Sequence, residues 1–127
     1  MDLKNNLIAN QSLAPAARTS SVNGTAIDLQ GSEGALVVVQ CGALTDGTHT
    51  PSLEESDASG SGFAAVAAAD RIGSLVACTA NGVQAIGYVG SKRYVRVVMT
   101  IAGAPSTGAV TSAVVLEGGL RHVGTAV

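Results

Sequence analysis

Aromatic residues are nearly absent from this sequence: two Tyr, one Phe and no Trp occur among 127 residues. Charged residues are also scarce, at 13%, compared with about 25% in an average globular domain. Carbohydrate-binding β-sandwiches normally present exposed aromatic platforms, so this composition disfavours that class. Nucleic-acid binding calls for basic surfaces and stacking aromatics, and an acidic chain with an isoelectric point of about 5.5 predicts no nucleic-acid partner.

Long hydrophobic runs are also missing. No stretch approaches the roughly 18 uninterrupted apolar residues of a membrane-spanning helix, and no apolar run of about 7–15 residues follows Lys4 to form a signal peptide. Cys41 and Cys78 lie in apolar, strand-like contexts without a CxxC spacing. We therefore expect no membrane partner and folding in a reducing cytoplasm. Two reduced thiols are the first interpretation of the cysteines, and a disulfide is the alternative.

Residues that carry chemistry are few and scattered. His49 is expected to be a turn residue, and His122 lies in the C-terminal tail, so neither belongs to a set of metal ligands. Glu54 and Glu55 are adjacent and would point to opposite faces of a strand, which prevents them from forming a catalytic pair. The GYVGSK sequence at residues 87–92 has two residues between its glycines, whereas a phosphate loop needs four. The sequence predicts no catalytic residue, cofactor or metal, and no enzyme activity.

Val, Ala and Gly dominate the composition, with 16 Gly. This is typical of a compact β protein with many tight turns. Apolar residues alternate with polar ones, or form short valine-rich runs, in several segments of the length of a strand. These predicted strands cover residues 25–30, 35–41, 50–56, 75–79, 83–89, 92–102 and 110–116.

Residues typical of tight turns lie between several of these predicted strands. Residues 45–48 (TDGT) and 90–91 (GS) are predicted to join consecutive strands as hairpins, and one short helix or turn is expected around residues 66–71. No strand is followed by a crossover helix, which argues against a parallel sheet. The predicted fold is therefore all-β: an antiparallel, jelly-roll-like β-sandwich of about eight short strands with at most one short helix.

The chain divides into two predicted parts. Residues 1–22 mix polar residues with scattered apolar ones and precede the first clean alternation. We predict that they form an N-terminal arm, used in assembly and lying outside the core. Residues 23–127 are predicted to form a single β-sandwich domain.

The strand at residues 92–102 has the clearest alternation in the chain. One parity is wholly apolar and is predicted to face the core; it consists of Val95, Val97, Met99 and Ile101. The other parity begins with Lys92, Tyr94 and Arg96, whose side chains would project outward about 6.5–7 Å apart. Tyr and Arg are enriched at the centres of protein interfaces. These three residues are therefore a candidate interface, with a solvated face as the alternative.

Charge is distributed unevenly along the chain. Residues 28–70 contain seven acidic residues and no Lys or Arg, whereas residues 71–121 contain five basic residues and one acidic residue. Acidic and basic strands could become neighbours inside one sandwich. Alternatively, an acidic surface could meet a basic surface on a neighbouring copy. Under the second interpretation Glu54, Glu55 and Asp57 join the candidate interface.

Four segments carry a resemblance to a known group of proteins: NGTAIDLQG (residues 23–31), LTDGTHTPSLEESD (44–57), AAADRIGS (67–74) and QAIGYVGSKRYVRVVMTIAG (84–103). Together they resemble small virion proteins of tailed bacteriophages, of the capsid decoration (cement) or head-stabilising type. The resemblance covers most of residues 20–117. Its most specific parts are GYVGSKRYVRV and the pair DGTHTP and EESD.

The resemblance implies a β-sandwich that binds the outer surface of the phage major capsid protein lattice in many copies and stabilises it. It implies self-association as a dimer or trimer, a place on the capsid exterior of the virion, and assembly in the host cytoplasm. It supplies no catalytic residue and no cofactor. The alternatives are another phage structural component, such as a tail or head–tail completion protein, and a carbohydrate-binding β-sandwich module.

Overall fold

The computed structural model describes residues 2–118. The strands are β1 (Ile8–Arg18), β2 (Val22–Asn23), β3 (Ile27–Asp28), β4 (Gly34–Leu44), β5 (Thr48–Ser56), β6 (Ala64–Ala65), β7 (Arg71–Ile72), β8 (Val83–Tyr88), β9 (Tyr94–Ala102) and β10 (Ala109–Gly118). The helix expected near residues 66–71 is a single 3-10 turn at Ala68–Asp70. Within the described residues no helix is long and apolar enough to cross a bilayer.

The strands form two antiparallel sheets, which confirms the predicted all-β fold class. The first sheet has the order β1-β10-β4-β8-β7. The second has the order β2-β9-β5-β6, with β3 also paired to β9. Six strands are six residues or longer, and the other four are two-residue pairings at the margins of the sheets. The two sheets pack as a sandwich around one hydrophobic core.

The core lies between the sheets and consists of the inward positions of each long strand. Val37 and Val39 on β4 and Val115 on β10 are at most 1% exposed, and Val95 and Val97 on β9 are fully buried. β-branched side chains suit this role because they pack well on a pleated surface. The predicted core parity of residues 92–102 is thereby confirmed for Val95 and Val97.

Both predicted hairpins are wrong, because each turn passes from one sheet to the other. Residues 45–48 lead from β4 to β5, and residues 90–91 lead from β8 to β9. The two edges of β4 are already occupied by β10 and β8, so β5 has no edge of β4 to pair with. The Asp46 carboxylate holds the first turn in place by accepting hydrogen bonds from the backbone N–H groups of Ser106 and Gly108, at 2.9 and 2.5 Å.

Residues 75–79, a predicted strand, are in no ladder. The Gln84 side chain supplies the hydrogen bonds that a neighbouring strand would supply. Its Oε1 accepts from the Val76 N–H at 2.9 Å, and its Nε2 donates to the Val76 carbonyl at 2.8 Å. The Cys78 N–H donates to the His49 carbonyl at 2.7 Å. The Gln84 side chain and the His49 carbonyl thus supply hydrogen-bond partners for backbone groups of this extended segment, which lies outside both sheets.

The expected N-terminal arm, residues 1–22, is for the most part a strand of the sandwich. Strand β1 pairs along β10 at the edge of the first sheet, and Leu13 is 2% exposed in the core. Register irregularities between Gln11 and Leu13 and between Leu13 and Ala16 interrupt the alternation. A bulged strand loses the period-2 pattern that identifies strands in a sequence, which explains why the prediction was wrong here.

Candidate interaction surface

The predicted interface residues lie on and beside the outer face of the second sheet. Tyr94 and Arg96 alternate on β9 with the buried Val95 and Val97, so their side chains project outward as predicted. Lys92 precedes the strand, because β9 begins at Tyr94. Lys92 is therefore an exposed loop residue beside this face.

The charges of this face are paired within the chain. Strand β5 runs antiparallel to β9 with Glu54 opposite Arg96, and the Arg96 Nη2 lies 2.7 Å from the Glu54 Oε1. The Lys92 Nζ lies 2.9 Å from the Asp57 Oδ2. Acidic and basic segments are thus neighbours inside one sandwich, which is the first of the two interpretations of the charge distribution.

Glu55 turns to the opposite side of β5 from Glu54, as the sequence predicts for adjacent strand residues. Its Oε1 accepts a hydrogen bond from the Tyr88 hydroxyl at 2.7 Å. The same hydroxyl accepts from the Lys92 backbone N–H at 3.0 Å. Tyr88 is 1% exposed, and its hydroxyl joins the first sheet to the second. The Glu55 side chain therefore points between the two sheets, and Glu55 does not belong to the outer face.

Two of the three aromatic side chains lie at this face, each with an arginine against its ring. The Arg96 guanidinium lies 4.1 Å from the centroid of Phe63, and the Arg93 guanidinium lies 5.1 Å from that of Tyr94. Arg93 also forms a two-pronged ion pair with Asp28. We define the charged patch as Glu54, Asp57, Phe63, Lys92, Arg93, Tyr94 and Arg96.

Sequence reasoning found most of this patch and missed Phe63 and Arg93. Phe63 follows a Gly/Ser-rich turn and has no strand periodicity, so only the folded chain brings it beside Arg96. Arg93 has the core parity in the sequence, but it lies in the loop before β9, where parity does not apply. The sequence distinguishes Phe63 only as one of its three aromatic residues.

The buried phenol of Tyr88 and the half-buried thiol of Cys78 make stability sensitive to alkaline pH. Burial, with the hydrogen bond to Glu55, raises the pKa of the Tyr88 phenol. Burial beside Cys41 raises the pKa of the Cys78 thiol from 9.0 to about 11. In both cases the group ionises at a lower pH in the unfolded chain than in the folded protein. Its contribution to the free energy of unfolding is therefore complete below the ordinary pKa and is lost as pH rises towards the folded-state pKa.

We expect the melting temperature to be level from neutral pH to about pH 9 and to fall steadily above it. Thermal unfolding followed by circular dichroism across this range measures the effect. The substitutions Tyr88→Phe and Cys78→Ala each remove one of the two groups, and each should reduce the slope. A profile that neither substitution alters would contradict this assignment.

Candidate metal ligands are not clustered in the described part of the chain. In residues 2–118 no three His, Cys, Asp or Glu side chains are grouped to hold a metal ion. The predicted turn residue His49 is fully buried on β5, with Nε2 3.0 Å from the Asp46 carbonyl and no partner for Nδ1. Cys41 and Cys78 are free thiols that line one small cavity. His122 lies outside the described residues.

A cleft of about 600 Å³ lies between the loop after β3 and the loop before β9. It is lined by Ser32, Glu33, Lys92 and Arg93, among others. Both basic residues are already bound to carboxylates, since Lys92 pairs with Asp57 and Arg93 with Asp28. The cleft therefore has no free cationic group directed at a ligand.

Comparison with known proteins gives a structural likeness. No protein-family model matches this chain, and no curated protein matches it. A solved structure from Bacillus, described as "Bacillus endospore appendages form a novel family of disulfide-linked pili", is similar with a TM-score of 0.54 and 10% sequence identity. The likeness covers 91% of this chain and 89% of that one. It shows that the two proteins share an all-β fold.

Proposed function

We propose that this protein is a structural virion protein that decorates the outer surface of a tailed-phage capsid and stabilises it. The resemblance of residues 23–31, 44–57, 67–74 and 84–103 to small virion proteins supports this proposal. On this proposal the major capsid protein is the partner, the location is the capsid exterior, and assembly takes place in the host cytoplasm. The protein has no catalytic role.

The charged patch is the observation that carries the proposal. Exposed ion pairs contribute only about 0–1 kcal/mol each to stability, so a row of them adds little to folding. Arg96 is held between Glu54 and Phe63, and this fixes its guanidinium before any partner arrives. A rigid Arg beside Tyr94 and Phe63 has the composition of an interface centre. The patch is thus suited to a protein surface with acceptor groups.

The proposal differs from the structurally similar Bacillus protein in how copies are held. That protein belongs to a family of disulfide-linked pili. Here Cys41 is buried, Cys78 is half-buried, and both thiols line one cavity within the chain. We therefore propose that many copies are held by non-covalent contacts with the capsid lattice and with one another.

The test is binding of the purified protein to capsids that lack it. These capsids come from a phage in which the gene for this chain has been deleted. The double variant Tyr94→Ala, Arg96→Ala should lose about 2 kcal/mol of binding free energy, or roughly 30-fold in affinity. Its melting temperature should stay close to that of the unmodified protein. Co-sedimentation with capsids measures occupancy, and calorimetry measures stability.

Arg71→Ala is the matched control, because Arg71 lies on β7, in the other sheet. Its guanidinium donates a hydrogen bond to the nearby Gly73 carbonyl. It should bind capsids normally. Equal binding by the double variant and the control would overturn the role of the patch. Absence from capsids would overturn the proposal itself, and a copy number of about a dozen per virion would indicate a tail or head–tail completion protein.

A further inference from the structure

The two cysteines of the chain, far apart in the sequence, come together in the fold. Cys41 lies near the end of β4 and continues the inward parity of Val37 and Val39, so its side chain faces the space between the sheets. Cys78 lies in the extended segment at residues 75–79 and packs against the same core. Both line a cavity of about 120 Å³.

Backbone hydrogen bonds hold the two cysteines in this arrangement. The Cys41 N–H donates to the Gly82 carbonyl at 2.9 Å, so the chain just before β8 lies directly beside Cys41. The Gly82 N–H donates to the Thr79 carbonyl at 3.1 Å and closes a tight turn. This turn reverses the chain and brings the preceding residue, Cys78, back towards Cys41.

The segment that carries Cys78 is fixed to the second sheet. The Cys78 N–H donates to the carbonyl of His49 on β5 at 2.7 Å. The Gln84 side chain binds both backbone groups of Val76 in the same segment. Cys41 belongs to the first sheet, so a bond between the two sulfurs would tie the two sheets together.

The two thiols also interact directly. They share a hydrogen bond, and burial raises the pKa of both. The Cys41 Sγ in turn lies 3.6 Å from the Gly42 carbonyl oxygen. The thiolate is the reactive form of cysteine, so raised pKa values make thiol–disulfide exchange slow at neutral pH without changing which sulfurs are neighbours.

We propose that Cys41 and Cys78 form a disulfide within the chain when the folded protein meets a small-molecule disulfide. The half-buried Cys78 reacts first: its thiolate attacks one sulfur of the small disulfide, and the other sulfur leaves as a thiol with the proton that Cys78 lost. The Cys41 thiolate then attacks the Cys78 sulfur and expels the second small thiol, which takes the Cys41 proton. Two protein thiols are oxidised, and one small disulfide is reduced to two thiols.

The bond forms within one chain because the second thiol is already in place. A neighbouring group in the same fold has an effective concentration far above that of a thiol on another chain. The bond closes a loop of roughly 40 residues, which lowers the entropy of the unfolded chain and so stabilises the fold.

This inference goes beyond the proposed function and does not depend on capsid binding, because it concerns the chain alone. In a reducing cytoplasm the two thiols stay free. A protein that leaves a cell enters oxidising surroundings, where the disulfide persists. The cross-link would therefore follow folding and assembly.

The experiment treats the reduced, folded full chain with bis(2-hydroxyethyl) disulfide at about pH 8.5 until the reaction stops, and then removes the reagent. The protein mass should fall by about 2 Da, and no thiol should titrate under denaturing conditions. The chain should remain a monomer in non-reducing gel electrophoresis. Its melting temperature should rise by about 5–15 °C, and dithiothreitol should reverse each change.

Cys78→Ala is the matched control, because it leaves Cys41 without its neighbour. The same treatment should leave the melting temperature of this variant unchanged. Two thiols that persist in the treated wild-type protein, a small thiol that stays attached to Cys78, disulfide-linked dimers, or a lower melting temperature would each overturn the inference. None of these measurements involves capsids, so this outcome and that of the proposed function are distinguishable.

Discussion

Deletion of residues 1–18 is expected to abolish the folded state. Strand β1 pairs with β10 along the edge of the first sheet, and Leu13 contributes a side chain that is 2% exposed. The Ser12 hydroxyl also links the two sheets, since it accepts from the Val97 N–H at 3.0 Å and donates to the Thr25 carbonyl at 2.9 Å. Loss of a buried Leu side chain alone costs about 2–5 kcal/mol, and whole domains have only about 5–15 kcal/mol.

Circular dichroism and chemical denaturation measure this effect, and the truncated chain should lack a cooperative transition. Deletion of residues 1–6 is the control, because the hydrogen bonds described for Asn5 and Asn6 are to Asp2 and Leu3. That shorter deletion should change stability little. A chain without residues 1–18 that unfolds cooperatively at the normal temperature would show that β1 is dispensable, as expected for an assembly arm.

Tyr88→Ala is expected to destabilise the protein by about 3–5 kcal/mol. Tyr88 is the largest of the fully buried side chains, in a core that otherwise consists of Val, Leu, Ile, Ala and Met. Most side chains of this core are short or branched and cannot reach across the space that a missing ring leaves. The substitution also removes the hydroxyl that binds Glu55 and the Lys92 N–H.

Tyr88→Phe separates these two contributions, because it keeps the ring and removes the hydroxyl. It should cost about 1–3 kcal/mol, the penalty for leaving buried polar groups without a partner. Urea denaturation of both variants measures the difference in the free energy of unfolding. Equal losses for Phe and Ala would mean that the hydroxyl alone matters. A loss below about 1 kcal/mol for Ala would show that the core collapses around the missing ring.

The fold class and the main strands were predictable from local patterns. The alternation of residues 92–102 correctly separates the buried Val95 and Val97 from the outward Tyr94 and Arg96. The valine-rich run at residues 35–41 correctly indicates a central strand, since β4 lies in the middle of its sheet. Such patterns predict strands correctly because side chains alternate between the two faces of a strand. The burial of one face therefore appears as an alternation of apolar and polar residues that are neighbours in the sequence.

The pairing of strands was not predictable in the same way. Residues 45–48 and 90–91 have the composition of hairpin turns, yet both connect different sheets. Strand β5 pairs with β9, far along the chain, because other strands already occupy both edges of β4. A turn sequence specifies a local change of direction, whereas competition for a strand edge is settled by the whole chain.

The sequence by itself determined an all-β protein, and for the strand at residues 92–102 it separated the buried Val95 and Val97 from the outward Tyr94 and Arg96. Only the tertiary structure decided that β1 belongs to the sandwich and that the charges of β5 and β9 neutralise each other. Only the structure also decided that β4, β7, β8 and β10, which are far apart along the chain, lie in one sheet. The physical reason is that burial follows local periodicity, whereas charge pairing and surface continuity depend on which distant strands become neighbours.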